Sequence, residues 1–259
     1  VGDFNYYVTG NWNIQANKVL FIDEQNYPYD YMRQTGKPWA TFGLVADGFF
    51  TSMEEIGHSA VIEGFDNIQP GDIKYRDLNN DGVIDEFDRA VIGNDKPLQY
   101  FGLDLGFNWK GFEFSMNWQG VYNRDIYIND RNLVEGFQKI GQSYGQGYEL
   151  LMGRWTPETA ETAILPRLSA GGNDYNMGGL YGSSFWMKNG NFLRMKNLYI
   201  GYTLPQTFCR NFLAGVRPKI FVNVQNLCTI SACDWVDPEV SFTSYPLQRT
   251  WSMGINLKF

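Results

Sequence analysis

The chain has 259 residues, 21 basic and 28 acidic, for a net charge of −7, and it carries 8 Trp, 16 Tyr and 19 Phe beside 28 Gly. A hydrophobic fraction of 44% with 19% charged residues excludes an intrinsically disordered chain, and the acid excess argues against a nucleic-acid binder. No run approaches the roughly 18 consecutive apolar residues of a transmembrane helix.

The sequence opens on VGDFNYYVTG, without an initiator Met, a charged leader or an apolar leader core, and reads as a processed chain or a fragment. Alternation begins at once: Phe4, Tyr6, Val8, Trp12 and Ile14 interleave with polar residues, predicting a strand near 3–16. Residues 17–97 follow as a long connecting region, with a small hairpin expected around Thr41 to Phe50.

Within that region, DLNNDGVIDEFD (77–88) has the spacing of an EF-hand-type calcium loop. Side-chain oxygens fall at its first, third, fifth, ninth and twelfth positions, on Asp77, Asn79, Asp81, Asp85 and Asp88. Gly82 sits where such loops turn sharply, and Val83 would offer its carbonyl. Asp88 stands where Glu is usual, which shortens the bidentate ligand. A structural Ca2+ ion is the expectation, against the plainer reading of an Asx-rich turn.

The strongest alternation comes next. Leu103, Leu105, Phe107 and Trp109 lead to Lys110-Gly111, after which Phe112, Phe114, Met116 and Trp118 resume the pattern. This predicts strands near 98–109 and 112–122 joined by a two-residue turn. A second long region, 123–190, precedes strands near 191–204 and 216–228, which are joined by a modest turn from Pro205 to Gly215. Residues 229–248 form a third loop region, and a last strand is expected near 249–259.

Alternation alone does not separate a sheet in water from one in lipid. Three features favour lipid. Aromatic residues gather near the strand ends of the apolar faces, the opposite faces carry Asn, Gln, Asp, Glu and Thr, and tight turns alternate with very long loops, as in outer-membrane barrels. With Lys110-Gly111 and 205–215 on the periplasmic side, regions 17–97, 123–190 and 229–248 are external and the last strand ends in the periplasm. Six strands do not close a barrel, since the smallest bacterial ones have eight. The fold class is therefore all-β: the C-terminal strands of a larger transmembrane antiparallel barrel, the rest being supplied from outside this sequence.

The single histidine, His58, reads as a loop residue and gives a Ser-His-Asp site little support. Cys209, Cys228 and Cys233 fit neither a disulfide scaffold nor a zinc site. The strand directions put Cys209 on the opposite side of the membrane from the other two, so it is expected to be unbonded to them, while a Cys228 to Cys233 bridge stays open.

At the end of the chain, Ser252, Gly254, Leu257 and Phe259 match the outer-membrane assembly signal: a polar residue, Gly, an apolar residue and a terminal aromatic at fixed spacing. Seven segments occur in order: PGDIKYRDLNNDGVIDEFDRAVIG (70–93), FGLDLGFNWKGFEFSMNWQGVYNRDIY (101–127), RWTPE and PRL (154–158, 166–168), FLRMKNLYIGYTLP (192–205), DPEV (237–240) and YPLQRTWSMGINLKF (245–259). Together they resemble the C-terminal region of SusC-like TonB-dependent transporters of Bacteroidetes. The resemblance implies a 22-stranded barrel in the outer membrane, with a plug and a TonB box that this sequence lacks, and no catalytic residues. It also implies a SusD-like surface lipoprotein as partner, TonB as the energy relay, and glycan or peptide cargo.

An importer is thus the leading reading. The substrate-binding residues are unassigned, although Tyr144, Tyr148, Tyr175, Tyr181 and Trp186 are aromatic residues of the second external region that stack on sugars if exposed. The alternatives are a secreted, calcium-stapled β-sandwich that binds carbohydrate and a glycoside hydrolase, for which no carboxylate pair stands out.

Overall fold

The computed structural model describes residues 3–128, 130, 133, 148–169, 174–213, 215–240 and 244–258. Its strands in chain order are β1 (Phe4–Ile14), β2 (Thr41–Leu44), β3 (Ala46–Phe49), β4 (Ile73–Tyr75), β5 (Arg89–Gly93), β6 (Gln99–Trp109), β7 (Phe112–Tyr122), β8 (Asp125–Tyr127), β9 (Met187–Asn189), β10 (Phe192–Thr203), β11 (Arg217–Ser231) and β12 (Thr250–Lys258). Short helices span Met53–Gly57 and Gln206–Phe212. The chain divides into two compact units, one of residues Val1–Gln15, Pro97–Arg124 and Asn189–Phe259, the other of Ala16–Lys96 and Asp125–Lys188.

The first unit is built on a six-stranded antiparallel sheet in the order β1-β6-β7-β10-β11-β12. Its register turns the period-two pattern of the sequence into two faces. Val8, Leu105, Met116, Leu198, Val224 and Trp251 align across the six strands, and Tyr6, Phe107, Phe114, Ile200, Val222 and Met253 make the next row of the same face. The other face carries the row Thr9, Asp104, Asn117, Asn197, Gln225 and Thr250. Much of the apolar face lies open, with Tyr6 74% and Met253 81% exposed.

The β6–β7 turn forms because Lys110 and Gly111 both take positive φ, 47° and 87°, the geometry of a two-residue hairpin whose twist matches the strands. A Cβ at Gly111 would also run into the Thr203 carbonyl oxygen. The β10–β11 pairing slips by one residue between Met195 and Asn197, opposite Asn226, which has φ 52°. The bulge keeps apolar residues on one face across a mismatch in strand length. β11 runs on to Ser231, three residues beyond the alternating stretch, so the loop after it starts later than expected. The outer edges of β1 and β12 have no strand partner among the described residues. In hydrocarbon each unpaired backbone group costs several kcal/mol, so the sheet is a section of wall whose edges need further strands.

The second unit has a different construction. Short ladders pair β2 with β5 and β3 with β4 around a core that includes Leu44, Phe50, Ile73, Ile84, Leu165 and Trp186, each fully buried. The hairpin expected around Thr41 to Phe50 is not formed. Only Val45 separates β2 from β3, too little chain to reverse direction, and each strand pairs elsewhere.

Candidate functional site

The 77–88 loop is stapled by its own amides. Asp77 accepts the N–H groups of Asn80 and Gly82 at 2.6 and 2.8 Å, and Asp81 accepts Val83 N at 3.0 Å. Asp88, fully buried, receives Leu78 N at 2.6 Å and Asp85 N at 2.9 Å, so the twelfth position ties the loop's start to its end. Burial raises the Asp88 pKa against the pull of those amides. Asn80 and Gly82 have positive φ, 62° and 90°, which folds the loop tightly. Tyr31 bonds the Phe87 carbonyl at 2.7 Å, and burial, helped by the charges of Asp88, Asp77 and Asp85, pushes its hydroxyl up to about 12. The oxygens are of the hard, anionic kind that calcium selects. Among the described residues, however, no three His, Cys, Asp or Glu side chains converge as a metal-holding group.

Two polar clusters that no spacing announced join the segments carrying the resemblance. In the second unit, Asp72 of PGD, 1% exposed, is ion-paired with Arg167 of PRL, whose Nη2 donates to it at 2.9 Å and whose Nε lies 2.8 Å away. Asn176, also buried, donates to Asp72 at 2.8 Å and accepts Ile73 N at 2.7 Å, and its carbonyl takes the Trp186 indole N–H at 2.7 Å. Gly71 lies under the Trp155 ring of RWTPE, where a Cβ has no room. A buried carboxylate so completely bonded organises its surroundings, since every partner is fixed in place.

In the first unit, Arg194 of β10 is buried and contacts Asp237 at 2.8 Å, Glu239 at 2.5 Å and Thr229 Oγ1 at 2.7 Å. Lys196, at the bulge, adds a contact to Glu239 at 2.5 Å, and Arg124 reaches the Pro238 carbonyl at 2.8 Å. Burial by itself lifts Asp237, but the Glu239 N–H and the Arg194 guanidinium outweigh it and hold the pKa below the usual carboxylate value. DPEV is thereby fastened to the polar face of the sheet. The signal for both clusters was a charged residue inside a recurrent segment, yet the partners lie 95 and 43 residues apart and share no local pattern.

The candidate aromatic residues fare unequally. Tyr175 and Trp186 are buried and belong to the core. Tyr148 is partly exposed and bonds Asp130 Oδ2 at 3.0 Å, Tyr181 lies 5.9 Å from the Arg89 guanidinium, and Tyr144 falls outside the described residues. His58 is an exposed C-cap residue. All three cysteines are free thiols, Cys209 buried in the helix Gln206–Phe212.

Of the assembly signal, Ser252 and Gly254 lie on the polar face opposite Asn223 and Phe221, Leu257 lies on the apolar face opposite Pro218, and Phe259 is outside the described residues. Gly254 has a packing reason: a Cβ there would stand 2.7 Å from Cζ of Phe221. The polar face also holds an Asn117 to Asp104 hydrogen bond of 2.6 Å and a contact of Lys219 with Glu113.

No protein-family profile matches the chain. It is 27% identical to TonB-dependent receptor P3 of Formosa agariphila, over 99% of this chain and 27% of that protein. It is 25% identical to TonB-dependent receptor SusC of Bacteroides thetaiotaomicron, over 99% of this chain and 24% of that one. Among solved structures, the RagAB peptide importer in its open-open state superposes on the whole chain with a TM-score of 0.65 at 20% identity, covering 27% of the matched chain. The chain spans about a quarter of the length of these relatives. Over nearly its whole length the chain is thus similar to TonB-dependent receptors, SusC among them, and its six-stranded antiparallel wall has the fold of a stretch of such a β-barrel.

Proposed function

We propose that this chain forms the C-terminal strands and external loops of an outer-membrane TonB-dependent nutrient importer, not an enzyme. The receptor passes glycan or peptide cargo, captured with a SusD-like surface lipoprotein, into the periplasm on energy relayed by TonB. The observation that carries this reading is the pair of faces on one sheet. A continuous apolar face across six strands, open over much of its extent, suits lipid, and a face of Asn, Asp, Glu, Lys and Thr suits a wet interior. Regions 17–97, 123–190 and the loop before β12 are then external, and the turns at Lys110-Gly111 and 205–215 are periplasmic. The names of the relatives, receptors that depend on TonB and a peptide importer, point the same way.

The test uses the full-length receptor in its own cell. It should fractionate with the outer membrane, need detergent for solubility, and lose uptake of labelled oligosaccharide or peptide when TonB is deleted. Recovery as a monodisperse protein in plain buffer would sink the reading.

The same external placement exposes the 77–88 loop to calcium, and we assign it a structural Ca2+ held by Asp77, Asn79, Asp81, Asp85, Asp88 and the Val83 carbonyl. Binding requires Asp77, Asp81 and Asp88 to turn lone pairs toward a common centre while keeping their amides. Melting of the receptor with calcium and with a chelator decides it: a raised melting temperature that Asp81→Asn abolishes supports the ion, and coincident curves leave an amide-stapled turn.

A further inference from the structure

The second unit contains a groove of about 580 Å³ lined by Ile22, Asp23, Glu24, Trp39, Phe42 and Arg89 among others, a size usual for small-ligand sites. Its walls are pinned. Trp39, half exposed, has its backbone N–H held by Asn17 Oδ1 at 2.7 Å. Gln34, almost buried, spends both ends of its amide on the Pro38 carbonyl and the Ala40 N–H. Glu24 accepts the N–H groups of Gln34 and Thr35 at 3.0 and 3.1 Å, and the Thr35 hydroxyl with the Gln34 amide holds its carboxyl below the usual range.

Arg89 is the unsettled member. It opens β5, paired with Leu44, and its Nε is out of solvent with no acceptor. Among the described residues its guanidinium makes no ion pair, and its Cζ lies 5.9 Å from the centre of the Tyr181 ring. A partly desolvated guanidinium without an acceptor is costly, and its planar fork matches a carboxylate.

We propose that this groove captures an acidic oligosaccharide, the carboxylate of a uronate unit lying on Arg89 and a sugar ring on Trp39. Asp23 and Glu24 favour a sugar over an acidic peptide. Each uronate ring brings hydroxyl donors to these two acceptors beside its carboxylate, whereas a glutamate side chain brings a carboxylate and no donor. The inference rests on the import reading, because it needs the groove on the outer surface, and it narrows the cargo to one chemical class.

The test titrates the full-length receptor, in detergent, with tri-galacturonate, with its methyl ester and with tri-glutamate. Tri-galacturonate should bind at least tenfold more tightly than either of the others. Arg89→Gln should remove that advantage over the ester, Arg89→Lys should keep part of it, and Trp39→Ala should weaken trimer and ester alike. Heat-dependent gel mobility checks that each variant is folded, and if Arg89→Gln does not fold, the ester comparison on the unaltered protein and Trp39→Ala carry the test. Equal binding of trimer and ester, a preference for tri-glutamate, or no binding of uronate by a receptor that still supports TonB-dependent uptake overturns the inference and spares the import reading. A receptor soluble without detergent overturns both.

Discussion

The wall sheet and the looped unit bury their apolar residues in opposite ways. In the sheet, Tyr6, Trp12, Met253 and Ile255, on the apolar face of its two edge strands, stand more than 60% exposed. In the looped unit, Phe50, Ile73, Ile84 and Trp186 are fully buried, and a bonded polar cluster sits among them. One solvent is missing from the first picture and none from the second. On the import reading the sheet is half of an interface whose other half is hydrocarbon, while the looped unit supplies its own core. Stability in the two regions therefore rests on different chemistry and should fail under different substitutions.

The largest difference is expected at Asp72. Asp72→Asn leaves Arg167, itself only partly buried, without its counter-charge, a loss of at most about 3–5 kcal/mol. Hydrogen exchange on the full-length receptor should then show lost protection across 16–96 and 125–188, with the six wall strands unchanged. Loss spread evenly over both units would remove the distinction drawn between them. Pairing the change with Arg167→Gln should recover part of the protection, since no uncompensated charge remains.

The converse break is on the wall. Leu105→Lys places a charge in the central apolar row, where lysine facing lipid costs about 2–4 kcal/mol. Asn117→Lys, one strand away on the polar face and hydrogen-bonded to Asp104, puts the same charge in a wet interior and should cost little. Urea titration of the receptor folded into vesicles reads the contrast. Equal penalties at the two positions would mean that the apolar face does not meet lipid.

The same contrast explains what could be read from the sequence. A wall strand turns successive residues to an apolar and a polar side, so its pattern is local, and the turn chemistry of Lys110-Gly111 fixes the register of β6 on β7 without further information. The looped unit has no such period. Its halves are separated by the whole β6–β7 hairpin, Asp72 meets Arg167 from 95 positions away, and β2 and β3 abandon the expected hairpin for partners at β5 and β4. The 77–88 spacing predicted a calcium loop, with an Asx-rich turn as the plainer reading. It could not show that Asp88 turns inward to bond Leu78 and Asp85, because that depends on how deeply the loop packs.

A smaller effect separates packing from recognition within the assembly signal. Gly254→Ala drives a methyl against the Phe221 ring, an overpacking of about 1–3 kcal/mol. Adding Phe221→Leu should relieve it. If the double variant regains the folded, heat-shifted barrel band, Gly254 is needed for the space it leaves. If the band stays lost, Gly254 is read directly by the assembly machinery.

The smallest effect belongs to the looped unit and to pH. Glu55 is pulled from 4.5 down to about 2 by the Lys74 ammonium at 2.8 Å and by the N–H and hydroxyl of Thr51, both at 2.9 Å. A carboxylate lowered in the folded state adds stability that is fully present above its unfolded value near 4.5 and is lost as pH falls through its folded value near 2. Both side chains are close to a third exposed, so solvent screening keeps the contribution below about 1 kcal/mol. Glu55→Gln should therefore melt slightly lower than the unaltered receptor at pH 6, with the gap narrowing between pH 4.5 and 2 and confined, in hydrogen exchange, to peptides around 51–76. A gap that persists at pH 2 would assign the effect to the shape of the side chain, and a gap that appears in the wall strands would show the two regions to be coupled after all.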